Sequence, residues 1–162
     1  MELLRDQIVS QIISRLSAAK ANEGAVKVEG TWGSFAPMLA ALVCEKLNRP
    51  ILYICPHIDD ADKIADDIIT FGGKSVETLP AWEGQIDIAD ATDEIRAERL
   101  RVALKLLSGQ NNLVIPASIQ AICQPIPKPQ ALAQNRLGLN INQQMPPEQI
   151  IGWLIDNSFE EV

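Results

Sequence analysis

The sequence is poor in the groups on which most catalytic sites are built. It has one histidine, His57, and three cysteines, Cys44, Cys55 and Cys123, with no metal-like spacing. Cys44 and Cys55 lie inside apolar runs, which reads as buried free thiols in a reducing compartment rather than a disulfide framework or a metal site. His57 follows an apolar run of strand length, at the carboxyl end where α/β proteins place their sites. Catalysis there needs partners, and Cys55, Asp59 and Asp60 are near it only in sequence, so it reads as a loop histidine. Ser34 lies between Gly33 and Phe35, outside any G-x-S-x-G context. Basic residues are outnumbered, 14 Lys and Arg against 21 Asp and Glu, for a net charge of −7 and a pI near 4.7. That balance excludes a broad nonspecific grip on nucleic acid, though not a local basic patch. No run approaches the roughly 20 apolar residues of a membrane span. Met1-Glu2-Leu3-Leu4-Arg5-Asp6 is broken by charge and does not read as a secretion signal. The expectation is a soluble, cytoplasmic protein.

What is present is an α/β pattern. The chain has 162 residues, 47% of them apolar, which suits one compact domain with part of a second. Leu4, Ile8, Ile12 and Leu16 repeat at helical spacing and predict an N-terminal helix over 3–20. Ala25–Glu29 reads as a strand. Ser34 is placed to cap the next helix, with Pro37 in its first turn and Leu39, Leu42, Val43 and Leu47 on its buried face. Pro50–Cys55 is a continuous apolar run, typical of a parallel strand covered on both faces. A helix starts near Asp59, turns Ala61, Ile64, Ala65 and Ile68 inward and stops at Gly72-Gly73. Ser75–Leu79 is a short strand ended by Pro80, and Ala81–Ala91 an irregular acidic loop holding Trp82. Thr92 caps a long helix with Ile95, Leu100, Ala103, Leu104 and Leu107 in its stripe, followed by Gly109. Leu113–Ile115 is a further buried strand, and Ser118–Cys123 a turn or two of helix. Alternating strands and helices imply a parallel sheet with right-handed crossovers. Beyond Cys123 the closely spaced Pro125, Pro127 and Pro129 and a Gln- and Asn-rich stretch read as a linker or an irregular strand. Leu137–Ile141 could form a short strand, and Pro146-Pro147 opens a helix carrying Ile150, Ile151 and Leu154. The boundaries are 1–123 for the α/β domain and 124–162 for a linker and the start of a second module.

The most informative stretch is Gly30-Thr31-Trp32-Gly33-Ser34-Phe35-Ala36-Pro37, between the first strand pattern and an apolar helix. That is where a phosphate-binding loop sits, G-x-x-x-x-G-K-[ST], whose backbone N–H groups cradle phosphates while Lys reaches the β/γ oxygens and the hydroxyl holds Mg²⁺. Counted from Gly30, the second glycine falls on Phe35, the lysine on Ala36 and the hydroxyl on Pro37. The scaffold is there and the chemistry is not, and Trp32 and Phe35 are bulky enough to fill the space. Asp93-Glu94 imitates a Walker B acid pair but follows no apolar strand and reads as helix N-terminal acids. Arg96, Arg99 and Arg101, interleaved with Glu94 and Glu98, read as a solvated face; with Trp82 they are the candidate interaction surface. Asp59, Asp60, Asp62, Asp66 and Asp67 form an acidic face that repels DNA locally.

Gly30-Thr31-Trp32-Gly33-Ser34, Arg49-Pro50-Ile51-Leu52-Tyr53-Ile54, Phe71-Gly72-Gly73, Leu79-Pro80-Ala81-Trp82-Glu83, Glu94-Ile95-Arg96-Ala97-Glu98-Arg99-Leu100, Leu106-Leu107-Ser108-Gly109, and Leu113-Val114-Ile115-Pro116-Ala117-Ser118 with Gln120-Ala121 and the proline stretch succeed one another in this order. Together with Leu154–Val162 they resemble the N-terminal, UvrB-like region of bacterial transcription-repair coupling factors (Mfd), from about Gly24 to Val162. Leu79–Glu83 is the most specific piece; the continuation Gly84-Gln85-Ile86-Asp87 departs from the family pattern. The resemblance implies a helicase-like (RecA-like, P-loop-like) α/β fold with a worn-out phosphate loop, no ATP hydrolysis and no cofactor. It implies that UvrA is recruited through an adjoining domain of which only the beginning is present. RNA polymerase and DNA would be met only through the full-length protein, an ATP-dependent DNA translocase whose other domains this module packs against. The alternatives are a portion of an active DNA helicase or UvrB-like ATPase, which needs Lys where Ala36 stands, and a small α/β enzyme using His57.

Overall fold

The computed structural model describes residues 6–18, 25–72, 75–82, 92–134, 136–157 and 159. The chain divides into two compact units, Met1–Ile126 and Pro127–Val162. The first contains helix α1 (Gln7–Ala18), helix α2 (Phe35–Leu47), strand β1 (Ile51–Cys55), helix α3 (Ile58–Gly72), strand β2 (Ser75–Val76), helix α4 (Asp93–Leu107), strand β3 (Leu113–Ser118) and the short helix α5 (Ile119–Cys123). The three strands form a parallel sheet in the order β1-β3-β2. The class is the expected one: α/β, with a small open parallel sheet flanked by helices.

β3 is central and buried along its whole length. Its side chains alternate between two layers, as strand geometry requires. Val114 packs with Ala41 and Cys44 of α2 and Ile68 of α3. Leu113, Ile115 and Ala117 pack with Leu79, Val102 of α4 and Ala121 of α5. α3 and α4 therefore lie on opposite faces of the sheet. Val9 and Ile12 of α1 join Leu39, Leu42 and Val43 of α2 in a third apolar cluster. Asp6 opens α1, its carboxylate accepting from the N–H groups of Ile8 (2.8 Å) and Val9 (3.1 Å). Residues 3–5 and 19–20 of the expected helix, and 83–91 of the acidic loop, lie outside the described residues.

Pro116 stands in the central strand, a position where a missing N–H normally costs a ladder bond. Its carbonyl accepts from Leu79 N–H at 2.9 Å, so its absent donor is directed at the same neighbour, toward Glu77. That is where the β2 ladder lapses: pairing holds at Ser75 and Val76 and returns only as a single bridge between Leu79 and Ala117. The strand expected over Ser75–Leu79 is thus split by a proline on its partner.

Three expected strands need correction. Ala25–Glu29 is not a strand: it pairs with nothing in the sheet. Val26 to Glu29 instead lie beside Ile8, Ile12 and Arg15 of α1, with Val28 packed on the α1–α2 cluster and Lys27 paired with Glu29 at 2.5 Å. The valines that suggested a strand find their apolar partner on a helix. β1 is a strand, but at the sheet edge rather than covered on both sides. Ile51, Tyr53 and Cys55 are drawn inward, while Leu52 and Ile54, which share a face with Ile115 and Ala117, stay 49% and 53% exposed. Leu137–Ile141, in the second unit, is not a strand either. A turn closes it, with Gln143 N–H on the Asn140 carbonyl at 3.1 Å, Asn142 at φ +67° and Ile141 fully in solvent.

The second unit contains helix α6 (Pro129–Gln134) and helix α7 (Pro147–Asp156). The proline cluster, expected to be a linker or an irregular strand, opens α6 at Pro129, because Pro at the first helical position forfeits an N–H that has no partner there anyway. Pro147 starts α7 as expected, and Trp153 and Phe159 stack at its end, ring centres 6.1 Å apart. Among the described residues no helix is long and apolar enough to cross a membrane.

Ile68 has no exposed surface and joins α3 to Val114. Ile68→Ala is expected to cost about 2–5 kcal/mol of folding free energy through lost transfer energy and the cavity left behind. Urea denaturation of the two proteins measures it; an unchanged midpoint would contradict this account of the core.

Candidate functional site

The glycine loop takes a backbone course that its glycines permit: Gly30 and Gly33 have φ of +74° and +52°. Phe35 N–H donates to the Trp32 carbonyl at 3.1 Å, which turns the chain into α2. Ser34 occupies the cap position of α2, yet its side chain makes no cap hydrogen bond. Pro37 is buried in the first turn, and Phe35 packs against the α1–α2 cluster. Trp32, expected to fill the loop together with Phe35, is instead 85% exposed and fills nothing. Ala36 leaves the loop without a cation where a phosphate loop carries one.

The strongest polar constellation lies on the other side of the sheet. α4 starts at Thr92, whose hydroxyl accepts from Ile95 N–H at 3.4 Å, with Asp93 and Glu94 in the first turn. Asp93 pairs with Arg96 at 2.8 Å, so the acid pair that imitates Walker B stabilises a helix terminus. One turn on, Arg99 shares a face with Val102 and Ala103 and is buried with them, 2% exposed. Its guanidinium donates to the carbonyls of Pro80 (2.5 Å), Ala121 (3.2 Å), Gln124 (3.2 Å) and Pro125 (3.3 Å). It also stands over the Trp82 ring, 4.8 Å from the centroid, where a cation meets the negative face of the π system. Burial lowers the Arg99 pKa from its ordinary value, but arginine stays charged in proteins.

Trp82 is held from both sides. Its backbone N–H donates to Gln124 Oε1 at 3.1 Å, and its carbonyl accepts from Gln120 Nε2 (2.9 Å) and Gln124 Nε2 (2.8 Å). Arg99 and Trp82 therefore leave the expected interaction surface: both are interior. The reason is that an arginine need not find a carboxylate when a bend of chain turns several carbonyl oxygens toward one point. The spacing Ile95, Arg99, Val102, Ala103 is the signal that could have placed Arg99 inward. Gln120 stood out only through the resemblance, and Gln124 carried no sequence signal. Arg96 is half-exposed, and Arg101 remains at the surface.

Arg101 lines a cleft of about 410 Å³ with Glu98 of α4, Ile58, Ala61 and Asp62 of α3, the chain from Val76 to Ala81, and Ser118 at the end of β3. Lys105 forms an ion pair with Glu77 at its margin. His57 is exposed in the turn after β1, its carbonyl accepting a contact from Cys55 Sγ at 3.3 Å. Cys44 and Cys55 are buried and Cys123 is exposed. Burial and the nearby Asp60 raise the Cys55 pKa, which disfavours its thiolate. Among the described residues no group of three or more His, Cys, Asp or Glu side chains is placed to hold a metal ion.

The fold and its buried clamp define a small parallel α/β module in which the stretches Leu79–Trp82, Ile95–Leu100 and Gln120–Pro125 meet at one arginine. No protein-family model matches the chain. It is similar to the transcription-repair-coupling factor of Bacillus subtilis (strain 168), with 26% identity over 133 residues, covering 81% of this chain. The resemblance read from the sequence is therefore matched by a curated relative. The match covers 11% of that protein's length.

Arg99→Ala is expected to destabilise the protein by about 3–5 kcal/mol, since it strands several buried carbonyls together. Arg99→Lys is expected to recover only part of this, because an ammonium lacks the planar fork. Chemical denaturation of both variants is the measurement, and a fully stable Arg99→Lys would show that charge alone suffices. In a thiol titration with Ellman's reagent, Cys123 is expected to react first and Cys44 and Cys55 only on unfolding; three thiols reacting at one rate would contradict the burial.

Proposed function

We propose that this chain is a non-catalytic module of a transcription-repair coupling factor, acting in transcription-coupled nucleotide excision repair by supporting the surface that recruits UvrA. The observation that carries this reading is the similarity to the Bacillus protein, supported by where the resembling stretches lie. Three of them converge on Arg99, so the parts that look like the family are the parts that hold the module together.

The reading extends to a helicase-like ancestry of the fold. Gly30 and Gly33 keep the positive φ angles of a tight turn ahead of a helix, while Ala36 and Pro37 replace the cation and the hydroxyl. Pro37 also removes an N–H from the helix terminus that would face an anion. The segment before Gly30 is not a strand of the sheet, so the loop lacks the strand-to-helix frame in which phosphate loops are held. These features favour a silent loop over the portion of an active DNA helicase or UvrB-like ATPase that similar glycines would suit. RNA polymerase, DNA and ATP-driven translocation belong, on this reading, to the full-length protein.

Calorimetric titration with ATP·Mg²⁺ up to about 1 mM is expected to give no saturable heat, and micromolar binding would make the loop a working nucleotide site. Recruitment predicts a complex of this chain with purified UvrA in sedimentation velocity. Its absence at about 100 μM would remove the UvrA role while leaving the nucleotide result standing.

A further inference from the structure

The outer edge of β2 opens into the charged cleft. In a parallel ladder the N–H and C=O of one residue point to the same neighbour, and successive residues alternate. Val76 is in register with Val114, and the N–H groups of Glu77 and Leu79 donate to Val114 and Pro116 of β3 at 3.2 and 2.9 Å. Val76 and Thr78 therefore direct their backbone groups away from β3. Among the described residues β2 has no neighbour on that side, and neither residue has a backbone partner there. The cleft follows this edge. It takes Ala61 and Asp62 from the α3 face of the sheet, Glu98 and Arg101 from the α4 face, and Ile58 and Ser118 from beside the carboxyl ends of β1 and β3, so it runs from this edge over the strand ends. Its volume of about 410 Å³ falls within the range of ligand pockets.

The charges specify the occupant. Glu77 is engaged by Lys105, whereas Asp62, Glu98 and Arg101 have no ion pair among the described residues, so the two carboxylates outnumber Arg101 in the cleft lining. The whole chain carries a net charge of −7. Pro80 ends the edge, since it has no N–H to offer a further strand, so any paired stretch is short.

We propose that this edge receives an extended segment of a protein partner bearing a lysine or arginine. The segment adds as a strand beside Val76–Thr78, with its cation in the cleft that Asp62 and Glu98 line. Main-chain hydrogen bonds would supply affinity and the acidic walls selectivity, as in other cases of strand addition. This reading goes beyond the proposed function and does not depend on it.

The test titrates the isotopically labelled full chain with the peptide acetyl-Thr-Val-Lys-Val-Thr-amide, following backbone amide shifts. Saturable shifts centred on Val76 and Thr78 are expected. Replacing the peptide's lysine by glutamate, or N-methylating its valines, is expected to weaken binding about tenfold; the joint variant Asp62→Asn, Glu98→Gln is expected to weaken it about threefold or more. No saturation by about 5 mM would overturn the proposal. Equal binding of the N-methylated peptide would reduce the cleft to a cation site without strand addition, and equal binding of the glutamate peptide or by the double variant would remove the charge recognition. Each of these overturns it.

Discussion

A guanidinium buried without a carboxylate is stable only if fixed dipoles replace its water, and the first unit of this protein is built round such a case. Removing a cation from water costs several kcal/mol unless its donors are met. Arg99 directs Nη1 and Nη2 to four carbonyl oxygens, three of them from one bend of chain between Ala121 and Pro125, and only its Nε is left without a hydrogen-bond partner. Those carbonyls belong to a helix end and a proline-rich exit, where backbone oxygens have no helical partner of their own. Each side thus solves the other's problem: the bend supplies acceptors to the cation, and the cation supplies donors to a buried bend. Trp82 closes the arrangement with its ring face, and two glutamine side chains on α5 and just after it fix its backbone.

The consequence is that α4, the chain from Pro80 to Trp82 and the segment after β3 are positioned by one side chain as much as by the apolar core. The sheet between them is small. Its central strand carries a proline, its β1 edge leaves Leu52 and Ile54 half in solvent, and β2 is two residues long. Few ladder bonds hold such a sheet. Polar connections across the α4 face, including the Lys105–Glu77 pair, therefore matter more here than in a wide sheet whose strands fix one another.

The α/β class and the four longer helices of the first unit were legible because apolar spacing repeats there over a dozen residues or more, and the buried β3 because Leu113-Val114-Ile115 is an unbroken apolar run. What failed were short stretches whose local pattern fits two environments. Val26 and Val28 alternate as in a strand, yet a helix surface can absorb them equally well, and only the third dimension decides. Pro50–Cys55 is apolar throughout, which predicts two covered faces, but the order β1-β3-β2 puts it at an edge. Pro129 read as part of a linker or an irregular strand and is a helix start. Arg99 was read by residue type as solvated, although its place in the stripe with Ile95 and Ala103 said otherwise. Sequence gives the face of a helix more reliably than it gives the fate of a charge, because that fate depends on carbonyls distant in the chain.

The glycine loop and the clamp together separate two meanings of a retained motif. A loop kept for phosphate needs its lysine, its hydroxyl and a strand that fixes its direction; Gly30–Pro37 has none of these, and Trp32 stands out in solvent rather than closing over the turn. What it does keep is the pair of positive φ angles that lets the chain reverse into α2. Leu79-Pro80-Ala81-Trp82, by contrast, has every described residue in use: Leu79 in the core, the Pro80 carbonyl on Arg99, Ala81 packed against the α4-side core cluster and the Trp82 ring under the guanidinium. A stretch in which each residue makes a specific contact is tied to the architecture. One in which only the glycine angles remain is tied to a turn. That difference favours placing the resemblance to coupling factors in the way this module is held together rather than in a nucleotide site.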